Sequence, residues 1–253
     1  MIRLALFSLA AALFLMTTDV HAQVSQLENL LPTGDASASG RIVQMFGLVT
    51  VLSLAPGLLI MVTCFTRFII VLSFLRSGLG LPSTPANIIL VSLALFMTFQ
   101  VMAPTFDKGW NDGVIPLNKG EITEEVAFER ISDPFRQFML TQVRPKDLEL
   151  FLDLSNSQTG TVEPTPVSVA PEETGLRILI PAFMISELRR AFEMGFLVIL
   201  PFLVIDLVVA TLTMSMGMMM LPPTVISLPF KVLFFVLIDG WSLLIGGLMR
   251  SVA

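Results

Sequence analysis

One cysteine, one histidine and no tyrosine occur in 253 residues, and these shortages remove whole classes of chemistry. A Cys/His zinc cluster, a disulfide framework and a Cys/His nucleophile pair are excluded by arithmetic. Cys64, inside an apolar stretch, reads as a small buried hydrophobe. Charge is also scarce, at 14% of residues with a formal net of -5. No basic run or aromatic-interleaved basic patch offers a footprint for nucleic acid. No G-x-x-x-x-G-K-[ST] loop cradles a phosphate, no G-x-S-x-G presents a nucleophile and no H-E-x-x-H binds zinc. Neither an enzyme nor a cofactor is expected, so any energy source lies in another chain or in the membrane potential.

What the chain has in abundance is apolar surface: 54% of residues are hydrophobic and the mean hydropathy is +0.83. That exceeds what a soluble domain needs to fill one core and predicts an all-α membrane protein. Residues 1–22 carry Arg3, an apolar run from Leu4 to Met16 and then Val20-His21-Ala22, the pattern of a signal peptide cleaved after Ala22. Cleavage would remove His21; an uncleaved first helix is the alternative. Residues 23–41 are polar and small, an exported arm.

The first hydrophobic region, 42–106, holds two tracts, Ile42–Leu75 and Ala86–Phe106. The first is too long for one simple span, and Pro56-Gly57 predicts a kink or break inside it. The second has the length of one crossing. Between them lies a Gly/Pro/Ser turn whose only charge is Arg76, with Arg67 just upstream, which assigns that loop to the cytoplasm. Over 107–175, thirteen Asp/Glu stand against six Lys/Arg, so this part belongs outside, in the periplasm. Residues 107–154 read as amphipathic helices, with starts predicted at Asp133-Pro134 and Arg144-Pro145. Residues 155–175 are a Pro-rich flexible linker. The second hydrophobic region, 176–253, yields spans at Phe196–Leu221 and Thr224–Met249, four crossings in all. That count leaves Arg177, Arg189, Arg190 and Arg250 outside, against the positive-inside rule, unless long apolar segments pack in protein instead of crossing.

Three features of this region are candidates for function. In TMSMGMMMLPP (213–223), Met214, Met216, Met218, Met219 and Met220 cannot all face one way on a helix. They are either filler at an apolar helix end or an adaptable surface that seals a pore. Glu187, Asp206, Lys231 and Asp239 interrupt apolar sequence, where a charge costs at least about 2.5 to 3.5 kcal/mol. They predict pairing of Lys231 with Glu187 or Asp206, within or between subunits, or else an ion relay. Ser242/Gly246 and Gly247/Ser251 form small-xxx-small pairs that permit close helix approach.

Four stretches now carry a resemblance: FTRFIIVLSFLRSGLG (65–80), PAFMISELRRAFEMGF (181–196), IDLVVATLTMSMGMMMLPPTVISLPFKVLFFVLIDGW (205–241) and RQFMLTQVRPKDLELF (136–151). The chain resembles the FliP family, export-gate components of the flagellar type III secretion apparatus, related to a counterpart in injectisomes. The resemblance implies kinked helical hairpins that assemble into a helical, cone-shaped oligomer, a pentamer of this chain joined by the Q and R subunits. It implies an inner-membrane location at the flagellar basal body with a periplasmic portion. Its partners would be other flagellar export components, membrane lipids and unfolded exported proteins as substrates. It carries a methionine gate over to Met218, Met219 and Met220. Inter-subunit charge contacts carry over to Glu187 and Lys231 with Asp206 as neighbour, and periplasmic self-assembly to Phe138 and Phe151. Two rivals stay open from the residues alone: an ion-coupled channel or transporter using Asp206 and Lys231, and an assembly scaffold.

Overall fold

A computed structural model of the protein describes residues 38–159, 174–217 and 222–252. The expected signal peptide, most of the arm and residues 160–173 of the expected linker lie outside them. Every regular element among the described residues is helical. The helices are α1 (Ala38–Met61), α2 (Phe65–Gly78), α3 (Asn87–Gly109), a π-helical turn (Trp110–Val114), α4 (Ile115–Asn118), α5 (Glu124–Gln142), α6 (Pro145–Thr159), α7 (Leu176–Ser215), α8 (Pro223–Leu237) and α9 (Gly240–Arg250).

The chain divides into two compact units, Met1–Ser53 and Leu54–Ala253. The described part of the first is the beginning of α1, which starts at Ala38, inside the stretch read as arm. Its hydroxyls fold back on their own helix, Thr50 Oγ1 donating to the Phe46 carbonyl at 2.7 Å and Ser53 Oγ to the Thr50 carbonyl at 2.8 Å. Such i−3 and i−4 bonds satisfy polar groups in an apolar helix without any outside partner.

In the second unit the break expected at Pro56-Gly57 falls elsewhere. The helical backbone continues through both residues, and the chain turns at 62–64 instead. The next helix follows from its pattern. Phe68, Val71, Leu72 and Leu75 recur at i, i+3, i+4 and i+7, all four are buried, and they turn one stripe of α2 onto α7. Each such Leu or Phe contributes roughly 1.5 to 3 kcal/mol when removed from water. The matching stripe on α7 runs Leu179, Ala182, Phe183, Ser186, Glu187, Ala191, Gly195 and Phe202. Two glycines let the helices close. A Cβ on Gly195 would lie 2.5 Å from Phe74 Cδ2 and 2.7 Å from its Cγ, and one on Gly78 would lie 2.9 Å from Phe202 Cδ2. Phe74 is itself wedged edge-on against Phe192, so it cannot swing away freely. Gly195→Ala is therefore expected to cost about 1 to 3 kcal/mol by overpacking, read as a lowered thermal midpoint of the purified protein. A midpoint within error of the parent would mean that Phe74 has room to yield.

The small-xxx-small pairs do not play this part. A Cβ on Gly247 would meet nothing within 4 Å, and one on Gly246 would meet only the tip of Arg250. Close approach falls instead to Gly78, Gly195 and Gly113, where a Cβ would be 2.4 Å from Ile131 Cγ1 in α5. Gly113 lies in the π-helical turn, so the wider turn and the missing side chain together seat α5 against the end of α3.

Among the described residues, two helical stretches are long and apolar enough to cross a membrane, Asn87–Asn118 and Leu176–Ser215. A third candidate is the pair Pro223–Leu237 and Gly240–Arg250, bent by 65°. The span read from hydropathy as starting at Phe196 belongs to a helix that begins at Leu176. The charged SELRRAFEMG stretch does not precede a separate span; it lies inside the 40-residue α7. At 1.5 Å per residue α7 is about 60 Å long, roughly twice the hydrocarbon thickness, so it reaches well beyond a bilayer. The conflict over Arg189 and Arg190 then eases, because part of this helix need not lie in lipid.

Of the two helix starts expected at prolines, one is absent and one is present. The helix start expected at Asp133-Pro134 is absent, and Pro134 lies inside a continuous α5. Arg144-Pro145 does begin a helix, and that helix runs to Thr159, past the expected linker boundary at 155.

Candidate functional site

Two buried polar clusters brace α7, and each contains a charge singled out in the sequence. The first is centred on Arg67 and Glu187, whose side chains are both 0% exposed. Arg67 Nε donates to Glu187 Oε2 at 2.7 Å, and Nη2 donates to Glu187 Oε1, which makes the pair bidentate. The other donors are used as well. Nη1 donates to the Ser251 carbonyl at 2.7 Å and to Ser251 Oγ at 3.3 Å, and Nη2 donates to Gln142 Oε1 at 3.0 Å. Gln142 takes a second donor, Arg190 Nη1 at 2.6 Å, and its Nε2 donates to the Val252 carbonyl at 3.2 Å. One side chain from the start of α2 therefore fastens the end of α5, the middle of α7 and the turn after α9.

A smaller group adjoins it. Ser186 Oγ donates to Asp147 Oδ2 at 2.6 Å and accepts from the Arg144 backbone N–H at 3.1 Å. Arg144 also holds the Asp147 carboxylate with two side-chain donors at 2.9 Å. Burial by itself would raise the pKa of Asp147, but the Ser186 hydroxyl and the Arg144 guanidinium outweigh it and hold the carboxyl below the usual carboxylate range. The first turn of α6 is thereby tied to α7 as an ionised contact.

The second cluster joins α7 to α8 and to the end of α2. Lys231 Nζ lies 2.6 Å from Asp206 Oδ2 and donates to the Gly78 carbonyl at 3.0 Å. Ser227 Oγ donates to Asp206 Oδ1 at 2.5 Å. Asp206 is in α7, before the methionine stretch, and Ser227 and Lys231 are in α8, after it. The two arms leading into and out of TMSMGMMMLPP are thus pinned together.

Of the two partners expected for Lys231, the described residues show Asp206. Glu187 pairs with Arg67, not with Lys231, and both ion pairs close within one chain. Phe138 and Phe151 are half-buried in the cluster between α5, α6 and α7, where Phe138 meets the Phe183 ring edge-on with centroids 5.9 Å apart. Met218, Met219 and Met220 lie outside the described residues. Next to them, Met214 and Met216 are exposed, and Gly217, with φ +72°, turns the chain out of α7. Asp239 is the described non-glycine residue with positive φ and sits at the bend between α8 and α9. Cys64 is free and buried.

Arg67 was legible only as a charge next to a cytoplasmic loop, and burial overturns that use of it. The signal was present, since Arg67 interrupts FTRFII as Glu187 interrupts its own apolar run. Gln142 gave no signal and Ser251 stood out only as a small residue, because an amide and a hydroxyl are unremarkable until an arginine points at them.

The chain matches a family model described as the FliP family over residues 48–248. It is 57% identical over 251 residues to the flagellar biosynthetic protein FliP of Rhizobium meliloti (strain 1021), covering 99% of each chain. It is 51% identical over 250 residues to the protein of that name from Caulobacter vibrioides (strain ATCC 19089 / CIP 103742 / CB 15), covering 98% of this chain and 91% of that one. Likeness to the Bacillus subtilis (strain 168) protein of that name is 44% over 228 residues, covering 90% and 100%. Both ion pairs lie inside the matched range.

Proposed function

The chain belongs to the FliP family, and from that premise we propose that it is a pore-forming core subunit of the flagellar type III export gate. Membership makes it an export-gate component of the inner membrane. In the proposed reading it assembles with copies of itself, as a pentamer, and with the Q and R subunits, with part of the assembly on the periplasmic side. Unfolded flagellar proteins pass through the resulting channel, and Met218, Met219 and Met220 close it. The observation that carries this reading is 57% identity across 99% of a chain named for flagellar biosynthesis.

The geometry supports placement in a membrane and leaves faces on which an assembly can form. Along α7 and α8, Leu197, Leu207, Leu212, Val225, Phe230 and Leu237 are all more than half exposed. So much large apolar surface on two neighbouring helices needs protein or lipid to cover it. The charge clusters serve this role indirectly: Arg67–Glu187 and Asp206–Lys231 fix the shape of the subunit, and inter-subunit contacts form on the faces they hold in place. Phe138 and Phe151 act likewise, by setting the angle of α5 and α6 from which periplasmic self-assembly proceeds.

The test is reconstitution. Liposomes containing this chain alone are expected to carry no ion flux, whereas the chain co-purifies with the Q and R subunits as one complex. Ion flux through the chain by itself, abolished by Asp206→Asn, would favour the ion-coupled channel instead.

A further inference from the structure

We propose that α8 is a lever, latched to α7 at its methionine end by Asp206, Ser227 and Lys231 and pivoting at Ile238–Gly240. This deepens the gate reading and rests on it only for what the lever moves; latch and pivot are properties of the helices themselves.

The grip on α8 is unusually narrow. Its buried residues are Ser227, Lys231 and Phe235, spaced four apart on a single stripe. Val225, Phe230, Leu233, Val236 and Leu237 on its other faces are exposed. Two of the three grips are polar, and they are the two nearest the methionine end. A polar grip behaves differently from an apolar one when it opens. The Asp206 side chain is 30% exposed, whereas Arg67 and Glu187 are both 0% exposed, so the clasp on α8 is the less enclosed of the two ion pairs. A partly exposed pair loses less on opening than a fully enclosed one, because its charges are less completely cut off from other partners. The fully enclosed Arg67–Glu187 pair is the harder of the two to break.

The opposite end of α8 is built as a pivot. Phe235 packs with Leu75, Leu79 and Phe202 and meets Trp241 edge-on at 5.4 Å, an apolar contact that persists while the far end moves. Immediately beyond it the chain bends by 65°, with Asp239 left-handed at φ 52° and ψ 51°. Gly240 is pressed against the Phe235 ring so closely that a Cβ would lie 2.2 Å from it. A tight corner at one end, a polar clasp at the other and bare faces between them make an arm whose methionine end is held against α7 by the clasp.

The test measures the distance between α7 and α8 by paired spin labels at Thr211→Cys and Val225→Cys, both exposed sites, in a Cys64→Ala background. The full chain is co-assembled with the Q and R subunits and diluted with unlabelled chain. The otherwise unaltered protein is expected to give one short distance. Lys231→Met should add a second, longer distance, and Ser227→Ala, which removes one hydrogen bond and no charge, should shift the population the same way by less. An unchanged distance in both variants overturns the lever. So does failure of both to assemble, since a latch can be released without losing the subunit. A longer distance with no added solute leak would keep the lever and sink the gate reading alone.

Discussion

In Glu187→Ala protein, export-gate complexes are expected not to accumulate and cells to lose motility. The cause is the guanidinium left behind. Arg67 is fully enclosed and spends two of its donors on Glu187, so truncating the acid leaves a buried charge without its counterion. Breaking a buried pair in this way costs about 3 to 5 kcal/mol, a large part of the 5 to 15 kcal/mol that holds a typical domain together. The loss spreads because Arg67 also orients Gln142 and the Ser251 carbonyl. If Glu187 acted by touching another subunit, nothing done to Arg67 could restore assembly. If it acts within the chain, Arg67→Met combined with Glu187→Met removes both charges at once and recovers most of what Glu187→Ala loses. Complex yield on native gels for the two single variants and the double separates these cases. A double variant no better than Glu187→Ala contradicts the internal role.

The fold class and the family were legible because both depend on long stretches: apolar excess, helical periodicity and motif runs that survive local error. Pairing was not, and Glu187 shows why. Its partner lies 120 residues away, and nothing local to either residue says which distant charge will meet it. Lys231 and Asp206, 25 residues apart on consecutive helices, were within reach of the same reasoning, and they do pair. Proline misled for a related reason. Pro134 removes one backbone hydrogen bond from α5, but Ala127 and Met139 are buried on either side of it and hold the helix in one piece. Pro181 and Pro201 lie within α7 in the same way, bracketed by Leu179, Ala182 and Phe202. Tertiary packing outweighs the local cost. Pro145 had no such competition, since it occupies the first helical position, where its missing N–H is not needed.

Replacing Met218, Met219 and Met220 together by Ala should leave the complex whole and make it leak. The arms that carry these residues are fixed independently of them, by Asp206, Ser227 and Lys231 below and by the Phe235 contact beyond. Assembly therefore has no need of the thioethers. In the proposed gate closure does need them, because three adjacent side chains that are long, unbranched and polarizable would fill a gap of changing shape, and an apolar constriction excludes water and ions by dewetting. Alanine keeps the apolar character and removes the reach. A tenfold rise in small-solute flux would correspond to about 1.4 kcal/mol of lost barrier, and a change of at least that order is expected. Replacement by Leu, which restores bulk with less freedom, should close the channel at rest and hinder resealing after substrate has passed.

The proposed function turns on whether this chain forms a channel that its methionines close. The most direct measurement is the flux of a small solute through the purified complex with the Q and R subunits in liposomes, comparing the unaltered chain with Met218–Met220→Ala. A tight complex that becomes leaky with unchanged subunit composition is the predicted result. Equal tightness of the two, or a leak that appears only where subunits have been lost, would contradict it.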